Sequence, residues 1–274
     1  MNKKYLTGPY VFWAILFIMF PMLLMIYFSL TTRNAEGIHF SLESYQRFFD
    51  PLYISVLSRS IRIAFMTTVI CLLFAYPLAM ILNSRDLSNR NMILLLIILP
   101  MWMNSLLRTY AWLALLSSNG ILNSLLEAIG LPKGDFLYGN GAIVFGMIYN
   151  FFPFMVLPIY NALDKIDYKL VEASYDLGAN TRTTFRKVIL PLSMPGVVTG
   201  VIMVFMPSLT TFVITRLLGG GQVVLIGNMI EEQFTRANDW GFGSSLSMIL
   251  MLIILLTIGF TSNKEEIGKG GSLF

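Results

Sequence analysis

The stretch "EASYDLGANTRTTFRKVILP", residues 172–191, interrupts a chain that is otherwise apolar. Of 274 residues, 56% are hydrophobic and 12% charged, and the mean hydropathy is +0.71. Soluble domains carry about a quarter charged residues, so this chain lacks the polar surface that water requires, and its solvent is lipid. A run of acids, bases and hydroxyls with one glycine and a closing Leu-Pro therefore needs a reason. Starting slightly upstream, "DKIDYKLVEASYDLG" (164–178) reads as a helix that begins near Asp167 and sets Leu170, Val171, Ser174 and Leu177 at helical spacing. Gly178 stands where a left-handed residue ends a helix. Asn180 or Thr181 caps a second helix running through Lys187, and Pro191 and Pro195 mark the entry into the next apolar run. Residues 164–191 are thus expected to form a compact helix–turn–helix, continuous with an apolar helix on each side. Ala173 and Ser174 are small enough for a neighbour to approach closely.

Working outward, charges bound six apolar segments: 5–32, 63–84, 91–107 (apolar onward through Leu116), 136–163, 188–215 and 240–263. A span needs about 20 mostly apolar residues. The runs are continuous rather than alternating, which predicts helices and not a barrel. The expected fold is all-α and membrane-integral. It has six transmembrane helices, at approximately 9–31, 62–83, 91–115, 139–163, 188–215 and 241–262, in a single transmembrane domain over 1–274. The first run follows Lys3 and Lys4, is longer than a signal core and lacks a small-residue cleavage site, so it reads as a retained span. With the amino terminus in the cytoplasm, eleven Lys and Arg residues, Arg85 among them, fall inside and eight fall outside. Both termini and the 164–191 segment are then cytoplasmic.

The outer loops carry patterns of their own. "SLESYQRFFDP" predicts a short surface helix ending before Pro51, and "NGILNSLLEAIGLP" another, closed by Gly130 and Pro132. Gly219, Gly220 and Gly221 form either a flexible connector or a backbone that packs closely. Prolines interrupt four spans, at Pro77, Pro100, Pro153 with Pro158, and Pro207, as packing features or hinges. Arg108 would lie about 24 Å beyond Met92 on a straight helix. It reads as an arginine snorkelling to the interface or as one ion-paired with another protein.

Several chemistries are excluded. Gly268-Lys269 is followed by Gly270, and Asn263 stands where a phosphate loop needs its first glycine, so no nucleotide cradle exists. One histidine, His39, and one cysteine, Cys71, provide no metal site, no disulfide and no hydrolase dyad. All fifteen acids lie in loops or at helix ends, so no intramembrane carboxylate is available for a proton relay. A non-enzymatic subunit whose energy comes from outside the chain is the reading that remains.

At this point the polar segment becomes specific. It resembles the EAA motif of ABC-importer permeases, E-A-A-x3-G-x9-I-x-L-P, through Glu172, Ala173, Ser174, Gly178, Val188, Leu190 and Pro191. Every spacing is kept, with Ser174 for the second alanine and Val188 for the isoleucine. "AYPLAM" (75–80), "LPMWMNSLLRTYAWLALL" (99–116) and "LIGNMIEEQFTRANDWGFGSSLSM" (225–248) resemble the polyamine branch of that family.

The resemblance implies a bacterial cytoplasmic-membrane permease fold whose 164–191 loop is a coupling helix seated on a separate ATPase, which binds the ATP and Mg. It also implies a second permease chain, an extracellular or periplasmic binding protein, and contact with lipid but not nucleic acid. Cargo would be spermidine or putrescine. Ferric iron, thiamine or another small solute is the alternative, and a stand-alone secondary transporter the remoter one. Candidate path residues are Trp102, Tyr110, Tyr149, Asn150, Tyr160 and Thr210. Glu231, Glu232 and Asp239 are candidates for docking the binding protein or attracting cations.

Overall fold

A computed structural model describes residues 3–34, 37–84 and 89–269. Arg85 lies outside these, as do the side chains of Lys3, Lys4, Arg33, Lys264 and Lys269. In chain order the elements begin with α1 (Lys3–Ala14), a π-helical turn (Ile15–Met19) and α2 (Phe20–Ser29). A hairpin of β1 (Thr31–Asn34) and β2 (Gly37–Phe40) follows, then α3 (Glu43–Phe48) and α4 (Pro51–Leu82). Next come α5 (Arg90–Trp102), α6 (Ser105–Leu116), α7 (Ile121–Ala128), α8 (Asn140–Asp164), α9 (Tyr168–Asp176) and α10 (Thr181–Thr184). A second π turn (Phe185–Ile189) leads into α11 (Leu190–Thr210), followed by α12 (Val213–Leu218), α13 (Ile226–Thr235) and α14 (Trp240–Lys269).

Five helical stretches are long and apolar enough to cross a bilayer: Pro9–Ser29, Pro51–Leu82, Asn140–Asp164, Thr181–Thr210 and Trp240–Gly259. The pair Arg90–Trp102 and Ser105–Ala128 meets the same length and hydropathy test only when taken together, and it is bent by 96°, as a broken span or a re-entrant loop would be. The bend departs from the straight helix assumed for Arg108. Met103 and Asn104 are extended (ψ 146° and 127°), and Asn104 then caps α6 by accepting the Leu106 N–H at 2.8 Å. The 188–215 run is likewise divided at Thr211, which is extended with ψ 137°. Pro77, Pro153 and Pro158 lie inside unbroken helices, whereas Pro100 and Pro207 sit in the last turns before the two breaks.

Both π turns have the same cause. A proline at position i offers no N–H to the carbonyl at i−4, and each turn ends two residues before a proline, Pro21 or Pro191. The ladder widens instead: Phe20 N–H reaches the Ile15 carbonyl and Leu190 N–H reaches that of Phe185.

The chain forms two compact units, Met1–Leu57 with Ile226–Phe260, and Ser58–Leu225 with Thr261–Phe274. In the first, the apolar window of Pro9–Ser29 is unburied by the chain itself, as a lipid-facing helix would be. The antiparallel hairpin pairs Thr31 with Phe40 and Asn34 with Gly37. Trp240, at the start of α14, packs on Phe28 and Phe234 with ring centroids 6.0 and 5.5 Å away.

In the second unit, Cys71, Ala75, Ala79 and Leu82 run along one stripe of α4, fully buried. They pack with Met155, Val156, Ile159 and Leu163 of α8 and Val197 and Val204 of α11. Small residues set the closeness. A Cβ on Gly196 would fall 2.5 Å from both the Ala162 Cβ and the Pro158 carbonyl oxygen, and one on Gly200 2.7 Å from the Met155 sulfur. Helices without a water-driven incentive to associate gain from this approach through van der Waals contact. A further cluster joins Ile143 and Met147 of α8 to Ile214 and Leu218 of α12. The triple glycine belongs to this packing: Gly220 has φ +57°, and a Cβ there would meet the Tyr138 ring.

Candidate functional site

The polar segment folds as a closed knuckle. Asp167 opens α9 by accepting the Lys169 N–H at 3.0 Å. α9 ends through Gly178, whose φ of +81° is the left-handed conformation glycine adopts without steric cost. The Gly178 and Ala179 N–H groups return to the carbonyls of Tyr175 and Ser174 at 2.8 and 3.0 Å, satisfying the last turn. Asn180, one of the two expected caps, accepts the Thr183 N–H at 2.9 Å. Helix α10 does not stop at Lys187. It passes through the π turn into α11, so the knuckle and the following span are one rod.

The two arms are tied by hydroxyls. Ser174 Oγ lies 2.8 Å from Thr184 Oγ1 and 2.7 Å from the Val171 carbonyl, and both side chains are buried. Ser174 thus faces the other arm of the knuckle, while Glu172 and Ala173 stay exposed on the outside. Leu177 is 89% exposed, and Tyr168, Leu170 and Tyr175 are also open, so α9 and the residue that ends it present large apolar side chains on the surface of the chain. Val188 and Leu190 are half-buried, and Pro191 is exposed. The root is anchored to α4: Phe185 meets the Tyr76 ring edge-on at 5.9 Å, and the Tyr76 hydroxyl lies 2.7 Å from Ser193 Oγ. Beside the knuckle, Asn83, Arg90, Asp164, Asp167, Tyr168 and Val171 line a groove of about 700 Å³. Arg90 and Asp164 approach to 3.9 Å across it. Thr184 and Tyr76, which complete this arrangement, were not singled out from sequence. Tyr76 was visible only as part of "AYPLAM".

The candidate path residues separate into two groups. Trp102, at the α5–α6 bend, is 82% exposed, and Tyr110 and Thr210 are exposed as well. Tyr149 is half-buried against Trp112, with ring centroids 5.1 Å apart. Asn150 and Tyr160 are buried within the chain's own helices; Asn150 Nδ2 donates to the Gly146 carbonyl at 2.8 Å.

In the first unit, Asp239 is already engaged. Its Oδ2 receives Arg47 Nη1 at 2.8 Å and its Oδ1 accepts the Phe242 N–H at 3.0 Å, capping α14. The Arg47 guanidinium stacks 4.2 Å over the Phe242 ring. Burial alone would lower the Arg47 pKa, but hydrogen bonding and charge from Tyr53 and Asp239 outweigh it and hold the pKa above its ordinary value. Glu232 pairs loosely with Arg236 at 4.0 Å, and Glu231 accepts from Thr235 Oγ1 at 3.5 Å.

The described residues thus form a helical chain with several stretches long and apolar enough to cross a membrane and one polar helix–turn–helix at 164–191 between two of them. The pattern described as "Binding-protein-dependent transport system inner membrane component" matches residues 73–264. The chain belongs to that family, the permeases of ABC importers. It is 36% identical to the spermidine/putrescine transport system permease protein PotB of Haemophilus influenzae, over 96% of each chain. It is 37% identical to PotB of Escherichia coli, over 90% of this chain and 91% of that one. Among solved structures, a bacterial ABC transporter that imports the acidic polysaccharide alginate matches with a TM-score of 0.81 at 16% identity, covering 96% of this chain and 94% of the other. That last likeness speaks to the fold.

Proposed function

We propose that this chain is one membrane subunit of an ATP-driven importer of polyamines, spermidine and putrescine. The observation that carries the reading is identity above a third to spermidine/putrescine permeases over nearly the whole chain. The knuckle at 164–191 would couple it to a separate, PotA-like ATPase that binds ATP and Mg. Glu172 and Ala173 form the face offered to the ATPase, and Leu170, Tyr175 and Leu177 supply apolar anchors. Gly178 makes the turn, and the Ser174–Thr184 pair makes both arms move as one body. The α10–π–α11 rod, with Val188, Leu190 and Pro191 at its root, carries that movement into a span. ATP binding would favour one of two membrane conformations, and the chain itself hydrolyses nothing.

A second, PotC-like permease would complete the pathway, and a PotD-like binding protein would deliver cargo from outside, with both termini of this chain in the cytoplasm. Polyamines carry about two to three positive charges at neutral pH, since amines stay protonated. Aromatic faces receive such cations, and Trp102, Tyr110 and Thr210 are the path candidates left open to them. Glu231 and Glu232 remain candidates for docking or cation attraction, whereas Arg47 already neutralises Asp239. The test is uptake of labelled spermidine in cells deprived of their own polyamine systems. Co-expression with a PotA-like ATPase, a PotC-like permease and a PotD-like binding protein should restore ATP-dependent uptake. Transport of ferric iron or thiamine in place of polyamine would overturn the substrate assignment.

A further inference from the structure

Three cations crowd one side of the rod that joins the knuckle to its span. Arg182, Arg186 and Lys187, with Asn180 and Thr183, line a groove of about 650 Å³. All three basic side chains are exposed, and among the described residues no acid lines the groove and no ion pair uses them. The Asn180 carboxamide caps α10 through its oxygen, which leaves its amide nitrogen as a donor beside the Thr183 hydroxyl. Like charges gathered in this way raise a local positive potential that attracts an anion. Arginine pairs with phosphate oxygens through two parallel hydrogen bonds, so a phosphate is the anion that this set of donors suits.

The rod shows which phosphate. Thr184 turns to Ser174 of α9 and Ser193 to Tyr76 of α4, so those sides are packed within the chain. The basic side is another one. Arg186, Leu190 and Met194 follow at four-residue spacing, as do Lys187 and Pro191, and residues so spaced share a side of a helix. Pro191 and Met194 are exposed there, and Leu190 is half-buried. A charged groove thus runs directly into an open apolar strip, within a stretch long and apolar enough to cross the bilayer. We propose that the groove holds the phosphate of an anionic phospholipid whose acyl chains lie along Leu190, Pro191 and Met194. Basic residues beside a span attract such headgroups. A soluble phosphate would have no use for the apolar strip, and an ATPase seated on Glu172 and Ala173 would meet the other arm of the knuckle.

The test uses the purified full transporter, stripped of lipid in detergent and offered phosphatidylglycerol and phosphatidylcholine in equal parts. Native mass spectrometry counts the lipid that each complex retains. Wild type should keep phosphatidylglycerol in preference. In the Arg186→Gln, Lys187→Gln variant that preference should fall by roughly tenfold or more, the scale of two charges beside an anionic headgroup, with every subunit still present. Lys165→Gln with Lys169→Gln removes the same charge at the start of the other arm and should keep the preference. No preference in wild type, an equal fall in both variants, or displacement of the lipid by inorganic phosphate at matched concentration would each overturn the proposal. Loss of the ATPase from the Arg186→Gln, Lys187→Gln complex would also overturn it, by giving this side of the rod to that subunit instead.

Discussion

Gly178 and Gly130 make a matched pair at the scale of single residues. Both close a short helix in the left-handed region, at φ +81° and +77°, and a Cβ at either would meet nothing within 4 Å. Neither glycine is held by crowding inside the chain, so a side chain costs each only its backbone preference, about 1 kcal/mol. Gly178→Asp should therefore leave the chain at wild-type level in membranes yet abolish uptake, because on the proposed coupling role the space beside Gly178 would receive the ATPase. Gly130→Asp, with the same backbone penalty in a loop of the opposite face, should keep most uptake. Equal uptake in the two variants, measured with labelled spermidine, would remove Gly178 from the coupling surface. The sequence made Gly178 legible through its fixed offset from Glu172. It read Ser174, like Ala173, as room for a neighbour's close approach, and the structure corrects this: Ser174 is buried, 2.8 Å from Thr184 Oγ1, and only Ala173 stays exposed.

Among the elements, the close pair is α8 and α11, with Gly196 at its tightest point. Gly196→Val would press a branched side chain onto the Pro158 carbonyl and Ala162, where backbone cannot retreat cheaply. Overpacking of this kind costs about 1–3 kcal/mol, and the purified complex should melt several degrees lower, while Gly259→Val, in open space, should leave the melting temperature unchanged. The existence of the spans was readable because lipid demands long apolar runs. Their interruptions were not. Pro77, Pro153 and Pro158 sit in unbroken helices, while the breaks fall at Met103–Asn104 and Thr211, none of them a proline. Proline removes one hydrogen bond, which neighbouring groups can restore. Whether a helix then bends depends on what packs against its next turn. Here α6 and α12, the segments beyond the two breaks, pack on each other and on α8. A chain read one window at a time cannot reveal that packing.

For the whole molecule, composition was the more informative signal. So few charges and such long apolar runs mark a chain whose solvent is lipid. The family and its relatives agree with a permease. What composition could not reveal is which charges are already spent, as Asp239 is on Arg47, and which lack a partner, as Arg108 does. The central claim, that work enters through the 164–191 knuckle, can be tested directly by placing a thiol at its most exposed large apolar side chain. Leu177→Cys adds a reactive group to a chain whose own cysteine, Cys71, is fully buried. In the assembled transporter, a short bifunctional reagent should join the L177C chain to the ATPase subunit, with a yield that changes on addition of ATP. Labelling of L177C by a membrane-impermeant thiol reagent from outside intact cells, with no product containing the ATPase, would contradict the account.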